Sequence, residues 1–238
     1  MGHLLDINHK RFAFIHVPKC GGSFFKRLFG LKNNLGHTRY PASNQIIDRT
    51  VIAYNGLDGH WTYLQLLKAL EIKNEDYEFI AIVRNPWARM VSDYFFISQT
   101  SPSVHGNYEV HKLINSGEWS FKEYVKQVIF PQFKYTRDMY TMESKGESLT
   151  WNPDEGREQW GYLIDDNGKL AVENVFRMET LNRDIETFLA KNGLDIKIDE
   201  EKFNTSRHDH YSQYYDDESI ELVRDYEIDM INHFNYEF

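Results

Sequence analysis

The segment from residue 18 to residue 24 joins a cation, two glycines and a hydroxyl directly after an apolar run. In order, its residues are Pro18, Lys19, Cys20, Gly21, Gly22, Ser23 and Phe24. Where a buried strand turns through glycines into a helix, the first N–H groups of that helix point outward and, with the helix dipole, favour an anion. Lys19 adds a positive charge, Ser23 adds a hydroxyl, and the two glycines let the backbone approach the ligand. We interpret the segment as an anion cradle, and the alternative is an ordinary tight turn with an exposed lysine.

A second cation, Arg84, follows the apolar run at residues 79–83. Its guanidinium can bind a phosphate through two parallel hydrogen bonds, and Ser92, on the helix that follows, can offer a hydroxyl to the same phosphate. A magnesium-dependent phosphoryl transferase often has an acidic residue at such a strand end to hold the metal. Arginine in that place favours an anion site without a metal. The alternative is that Arg84 pairs with a surface carboxylate and Ser92 packs on a helix face.

Strand and helix signals alternate along the chain and place both segments at strand ends. Short apolar runs predict strands at residues 12–17, 50–54, 79–83 and 175–178. Apolar residues at helical spacing predict helices at residues 24–29, 61–70, 87–97 and 181–192, and a final helix from Asp216 or Asp217 to about His233. This alternation predicts an α/β protein with a central parallel β-sheet flanked by helices.

The composition limits the kind of protein. The chain has 238 residues, of which 41% are hydrophobic and 26% charged, and this suits one domain over residues 1–238 with a helical and loop insertion at about 98–160. A single cysteine excludes a disulfide framework and a cysteine-built zinc site. The net charge of −9 argues against nucleic acid as a partner. Apolar runs are shorter than the ~18 residues of a membrane span and no secretion signal is evident, so we expect no stable membrane insertion and a cytoplasmic location.

Two segments resemble the sulfotransferases that use 3′-phosphoadenosine 5′-phosphosulfate (PAPS). Residues 16–23, HVPKCGGS, are similar to the 5′-phosphosulfate loop of that family, and residues 83–94, VRNPWARMVSDY, are similar to its 3′-phosphate motif. Cys20 stands where the family commonly has Thr, and Asn85 where it commonly has Asp. The likeness extends to Gly59-His60 and to the C-terminal tail, and it is strongest to the polysaccharide-modifying branch, which includes the heparan and uronyl 2-O-sulfotransferases.

The resemblance implies a P-loop-kinase-like sulfotransferase fold and a PAPS-dependent transfer that leaves 3′-phosphoadenosine 5′-phosphate (PAP) and needs no metal. It implies that the residues from Pro18 to Phe24, with Arg84 and Ser92, bind the nucleotide. Lys19 is also predicted to be catalytic, because it can stabilise charge on the leaving phosphate. His60 is the predicted base, because an alcohol needs one at neutral pH and imidazole has a pKa of ~6.5. His16 ends the first strand and is more simply explained as a packed residue, or as one that supports the site residues without contacting the ligand.

The sequence offers two interpretations of the residues on the acceptor side. The tryptophans and tyrosines of the insertion either form a stacking platform for a sugar ring or fill the core; they are Trp119, Trp151, Trp160, Tyr108, Tyr124, Tyr135 and Tyr140. The basic residues Lys134 and Arg137 resemble a segment near the acceptor cleft of the family. A glycan, a glycolipid and a small hydroxyl compound all remain open as acceptors, and the sequence does not indicate an oligomeric state.

Two other functions compete with sulfo transfer. A nucleotide-dependent kinase of the P-loop class is disfavoured by the order Lys-x-Gly-Gly-Ser and by Arg84 at the metal position. A non-catalytic nucleotide-binding module would bind the 3′-phosphorylated nucleotide and transfer nothing, and the presence of His60 argues against it.

Overall fold

The structure is a computed structural model that describes residues 3–7, 9–29, 49–52, 60–105, 108–129, 158–198 and 206–238. The chain divides into two compact units. The first comprises Met1–Arg84 and Gly161–Asn204, and the second comprises Asn85–Trp160 and Thr205–Phe238. The single domain with an insertion at about 98–160 stays a prediction.

The described residues form strands, α-helices and 3-10 helices. The strands are β1 (His3–Ile7), β2 (Lys10–Ile15), β3 (Arg49–Ile52), β4 (Glu78–Val83) and β5 (Asn174–Arg177). The α-helices are α1 (Gly22–Leu28), α2 (Tyr63–Leu70), α3 (Pro86–Gln99), α4 (Pro102–His105), α5 (Tyr108–Asn115), α6 (Phe121–Ile129), α7 (Leu181–Asn192), α8 (Asp217–Tyr226) and α9 (Ile228–Phe234). The 3-10 helices are Asn74–Asp76, Trp160–Tyr162, Met178–Thr180 and Tyr211–Tyr214. Over the described ranges, no helix is both long enough and apolar enough to cross a bilayer.

The sheet lies in the first unit and its strands follow the order β3-β1-β2-β4-β5. The β2–β4 and β4–β5 pairs are parallel, whereas β1 runs antiparallel to both of its neighbours. Four strands therefore point the same way, and their carboxyl ends share one edge. The predicted α/β fold is confirmed, and the predicted parallel sheet is found to be mostly parallel, with β1 as its antiparallel strand.

The sequence reading missed β1 because its apolar side chains are few and interrupted by polar ones. Leu4, Leu5 and Ile7 are buried, and β1 turns directly into β2 with Ile7 opposite Lys10. A strand this short is stabilised by its pairing and packing rather than by its own residues.

Both faces of the sheet are covered. Successive side chains of a strand point to opposite faces of the sheet. In β2 and β4, however, all side chains at positions 12–15 and 79–83 are buried. On one face, Phe14 of β2 stacks on Phe25 of α1 with 3.9 Å between ring centroids. On the other, Tyr63 of α2 packs edge-on against Phe79 of β4 at 4.8 Å. Burial on both faces explains why these strands read as continuous apolar runs.

In the second unit, α3 begins where the sequence predicts. Pro86 occupies the first turn, where its missing N–H is not needed, and the Asn85 side chain accepts a hydrogen bond of 3.1 Å from the Ala88 N–H. The predicted final helix is instead two helices, α8 and α9, which meet at Glu227. Asp216 caps α8 as expected, accepting from the Ser219 N–H at 2.9 Å.

Candidate active site

The glycine segment leaves β2 through a tight turn and enters α1. Lys19 and Gly21 have φ angles of +62° and +81°, so both lie in the left-handed region, which glycine adopts freely and lysine does not. The Gly21 carbonyl accepts hydrogen bonds from the N–H groups of Phe24 (2.9 Å) and Phe25 (3.2 Å). The N–H of Phe24 is therefore used within the turn. The N–H groups of Gly22 and Ser23 precede these first bonds of the helix, which is where an anion is best received.

Both glycines also make close contacts inside the unit, with a rigid imidazole at Gly22 and a flexible methionine side chain at Gly21. A Cβ atom on Gly22 would lie 1.9 Å from Nε2 of His16, and one on Gly21 would lie 2.8 Å from Sδ of Met178. Neither distance is possible between unbonded atoms, so a side chain at either position would displace its neighbour. From the sequence, these glycines are explained only by the approach of a ligand. The structure shows that they also leave space for the side chains of His16 and Met178.

The side chain of Cys20 points into the protein. It is fully buried, and its Sγ donates to the Pro18 carbonyl at 3.3 Å. Pro18 is buried as well. The thiol therefore does not face a ligand, and Cys20 can contribute to an anion site only through its main chain.

Arg84 lies next to the glycine segment. Its Nη1 donates a hydrogen bond of 3.4 Å to the Lys19 carbonyl. This proximity follows from the sheet, because β2 and β4 are parallel neighbours and both residues follow the carboxyl ends of their strands. The two cationic segments, 65 residues apart in the chain, thus belong to one place in the first unit.

His60 also lies at this edge. Its Nδ1 is 2.8 Å from the His16 carbonyl oxygen, and the two imidazole centroids are 4.5 Å apart. A carbonyl only accepts, so Nδ1 of His60 must carry the proton that forms this bond. In neutral His60 the lone pair is then on Nε2, which is the state that a base requires.

Ser92 and Arg89 belong to the second unit. Ser92 is only 6% exposed. Arg89, on the same helix, is buried and pairs with the buried carboxylate of Glu227 at 2.6 Å. Its charge is thus compensated within the protein. The sharing of one phosphate by Arg84 and Ser92 stays a prediction.

Of the two roles that the sequence leaves open for the aromatic residues of the insertion, the structure shows the core role for Tyr124. Tyr124 is 2% exposed, its hydroxyl donates to Asp93, and burial raises the pKa of the phenol. The ring of Trp160 packs against that of His233 at 5.0 Å. Tyr108 is 60% exposed. Several residues predicted on the acceptor side lie outside the described residues: Lys134, Tyr135, Arg137, Tyr140 and Trp151.

Taken by itself, the first unit is an α/β structure whose strand–glycine-turn–helix junction lies beside an arginine and a histidine, an arrangement that suits an anionic ligand. A family profile described as "Sulfotransferase family" matches residues 3–237. The chain belongs to the sulfotransferase family, and this supports sulfo-group transfer to a hydroxyl acceptor. Neither the curated proteins nor the solved structures contain a significant match to it.

Proposed function

We propose that the protein transfers a sulfo group from PAPS to a hydroxyl of a carbohydrate, on a P-loop-kinase-like sulfotransferase fold. The observation that carries the proposal is the pair of hydrogen bonds at the sheet edge, from Arg84 to the Lys19 carbonyl and from His60 to the His16 carbonyl. These bonds hold the Arg84 guanidinium beside the main chain of Lys19 and the His60 imidazole beside the main chain of His16. This combination suits a doubly anionic donor and an acceptor that must lose a proton.

The residues of the first unit fit an anionic donor. Lys19 is partly exposed, and the N–H groups of Gly22 and Ser23 stand at the start of α1, so a 5′-phosphosulfate would meet a charge and oriented donors together. Arg84 would bind the 3′-phosphate. Pro18, Cys20, Gly21 and Phe24 would shape the turn through their main chains.

The donor supplies an activated sulfo group. The acceptor oxygen forms a bond to sulfur while the bond from sulfur to the bridging phosphate oxygen breaks, and that oxygen keeps the electron pair in PAP. Nε2 of His60 takes the proton of the acceptor hydroxyl. Lys19 stabilises the negative charge that develops on the leaving phosphate. No step in this scheme needs a metal ion, and a metal-free reaction stays a prediction.

The carbohydrate acceptor rests on the resemblance to the polysaccharide-modifying branch. Glycolipids and small hydroxyl compounds have the same reacting group, so the assay must include all three classes. The cytoplasmic location also stays a prediction.

The decisive experiment measures transfer of a radiolabelled sulfo group from PAPS to a panel of glycans, glycolipids and small alcohols. We expect transfer by the wild type, and a loss of at least ~10²-fold in kcat for His60→Ala with PAP affinity retained. His111→Ala is the matched control, because Nδ1 of His111 likewise bonds a backbone carbonyl, that of Ile97, at 2.7 Å.

Full activity of His60→Ala would remove His60 from the role of base. Turnover of ATP with magnesium, without sulfo transfer, would identify a kinase instead. Tight PAP binding with no transfer to any acceptor would indicate a non-catalytic nucleotide-binding module.

A further inference from the structure

The side chain of His16 fits between the glycine turn and His60. Its imidazole lies over the bare Cα of Gly22, where an added Cβ would approach Nε2 to 1.9 Å and Cδ2 to 2.0 Å. On its other side, the ring is 4.5 Å from that of His60, at an interplanar angle of 54°. The same residue thus contacts the proposed donor loop and the proposed base.

The main chain of His16 sets the protonation of His60. Its carbonyl accepts from Nδ1 of His60 at 2.8 Å, and this bond stabilises the tautomer in which Nε2 has the lone pair. A histidine whose Nδ1 proton is committed to a carbonyl is also held in one ring orientation. Loss of this bond would let the ring rotate and would raise the population of the opposite tautomer.

The position of this carbonyl depends in turn on the His16 ring. The ring stacks on Phe14 at 5.8 Å with an interplanar angle of 26°, and Phe14 is itself fully packed in the sheet. The Val17 N–H bonds the Ile15 carbonyl at 3.2 Å, so the chain turns sharply around His16. The side chain that fills the space above Gly22 therefore anchors the turn that presents the carbonyl.

We propose that His16 is a positioning residue for His60, and that residue 22 is glycine in order to admit its ring. The inference rests on the proposed role of His60 as base. The position of His60 then depends on the glycine turn, which is also the turn proposed to bind the donor. A change in this turn would move Nε2 of His60 through the side chain of His16.

Three variants separate positioning from simple packing: His16→Ala, Gly22→Ala, and the two combined. In Gly22→Ala the new methyl group displaces the His16 ring, and we expect kcat to fall by at least ~10-fold. In the double variant the methyl occupies the space that the ring vacates, so the thermal midpoint and PAP affinity should return towards wild type. Its kcat should stay low, with little change in KM for the acceptor. Recovery of kcat in the double variant would show that His16 only fills space.

The second readout is the tautomer of His60, observed by long-range proton–nitrogen NMR correlations on the full chain. His111 is an internal reference for the same tautomer, because its Nδ1 bonds the Ile97 carbonyl and the Asn115 amide donates to its Nε2 at 3.0 Å. We expect Nδ1–H at both histidines in the wild type. In His16→Ala, the Nε2–H form should increase at His60 and not at His111, and the acidic limb of the pH–rate profile should shift.

The two levels of the hypothesis fail in different ways. If the wild type transfers no sulfo group to any acceptor but the tautomer of His60 still responds to His16→Ala, the proposed function is overturned and the positioning by His16 stands. If the tautomer and the pH–rate profile are both unchanged in His16→Ala, the positioning role is overturned, whatever the enzyme transfers.

Discussion

Arg84 donates a hydrogen bond from Nη1 to the main-chain carbonyl of Lys19, at 3.4 Å. The bond is long and therefore weak, and it uses one of the five N–H donors of the guanidinium. Its importance is geometric, because Lys19 has a left-handed backbone (φ +62°) that turns this carbonyl towards the end of β4. The bond holds the Arg84 guanidinium beside the main chain of the glycine segment, where its charge can attract an anion.

The first prediction concerns nucleotide selectivity. Arg84→Gln should weaken binding of PAP by about 10–100-fold, since a charge-assisted pair with phosphate contributes about 1.5–3 kcal/mol. Binding of AMP, which lacks the 3′-phosphate, should change little. Isothermal calorimetry with both nucleotides measures the preference. Arg11→Gln is the control, because Arg11 is an exposed arginine of the same unit and lies over the ring of Tyr77. An equal loss for both nucleotides would contradict the assignment of Arg84 to the 3′-phosphate.

The second prediction separates the charge of Lys19 from its backbone conformation. Lys19→Met and Lys19→Gly both remove the ammonium group, so both should lower kcat by ~10²-fold or more. Lys19→Gly should be at least as stable as Lys19→Met, because glycine adopts positive φ without steric cost. Urea unfolding and steady-state kinetics measure the two effects.

Glu71 offers a matched control for this pair of variants. It is exposed at the end of α2 and has a φ of +51°. Glu71→Gly should likewise leave the free energy of unfolding at least as high as in the wild type, and it should leave kcat unchanged. Wild-type turnover by Lys19→Gly would show that the ammonium group has no part in transfer.

The third prediction concerns the buried ion pair of the second unit. Glu227 accepts from Arg89 at 2.6 Å and from the Gln159 N–H at 3.1 Å, and both charged side chains are almost fully buried. Glu227→Gln should lower the free energy of unfolding by about 3–5 kcal/mol, because it leaves the charge of Arg89 buried without its counter-ion. Near-UV circular dichroism during urea unfolding measures this loss.

The control for that measurement is Glu221→Gln, which removes one carboxylate of an exposed pair with Arg224. Exposed pairs contribute little, so the unfolding curve should barely move. A similar small change for Glu227→Gln would mean that the buried pair does not stabilise this unit.

The fourth prediction is a pH dependence at the start of α7. Burial raises the pKa of Asp184, but hydrogen bonds from the Thr180 hydroxyl (2.6 Å) and the Arg177 N–H (3.1 Å) outweigh it, so the pKa lies below its ordinary value. A lowered pKa contributes stability that is present above the unfolded value of about 3.9 and is lost as the pH falls through the folded value. Wild type and Asp184→Asn should therefore differ in unfolding free energy at pH 6, and the difference should shrink below about pH 4.

Asp195→Asn makes the same chemical change at an exposed position of the first unit. Its unfolding free energy, measured over the same pH range, is the reference for the loss of one exposed carboxylate. A constant difference between wild type and Asp184→Asn over this pH range would refute the role given to the Asp184 carboxylate.

Elements whose signals are complete within a few residues could be predicted from the sequence. The apolar run predicted as a strand at residues 79–83 is β4, Glu78–Val83, and the helix predicted at residues 181–192 is α7. Gly193 follows α7 with a φ of +66°, as its place at the helix end predicts. Both signals lie within the element itself. A continuous apolar run indicates a strand that is buried on both faces, and a glycine indicates the end of a helix, without knowledge of the tertiary contacts.

Features that depend on a distant partner could not be predicted. Glu227 reads as one more polar residue of a continuous helix, but it lies where α8 gives way to α9, and its carboxylate pairs with Arg89, 138 residues earlier. For Tyr124 the sequence leaves both a sugar platform and the core open, and only the structure shows that its hydroxyl bonds Asp93 in the core. In both cases the partner lies on another helix, so the spacing of residues within one helix does not predict the contact.

By itself, the sequence determined which chemical groups the candidate site contains, since Lys19, Arg84 and His60 stand in recognisable segments after strands. Only the tertiary structure decided how these groups are held. Arg84 and His60 are both held by backbone carbonyls, those of Lys19 and His16. Every residue has a carbonyl, so residue types do not reveal which ones are used, and the pairing of strands in the sheet makes that choice.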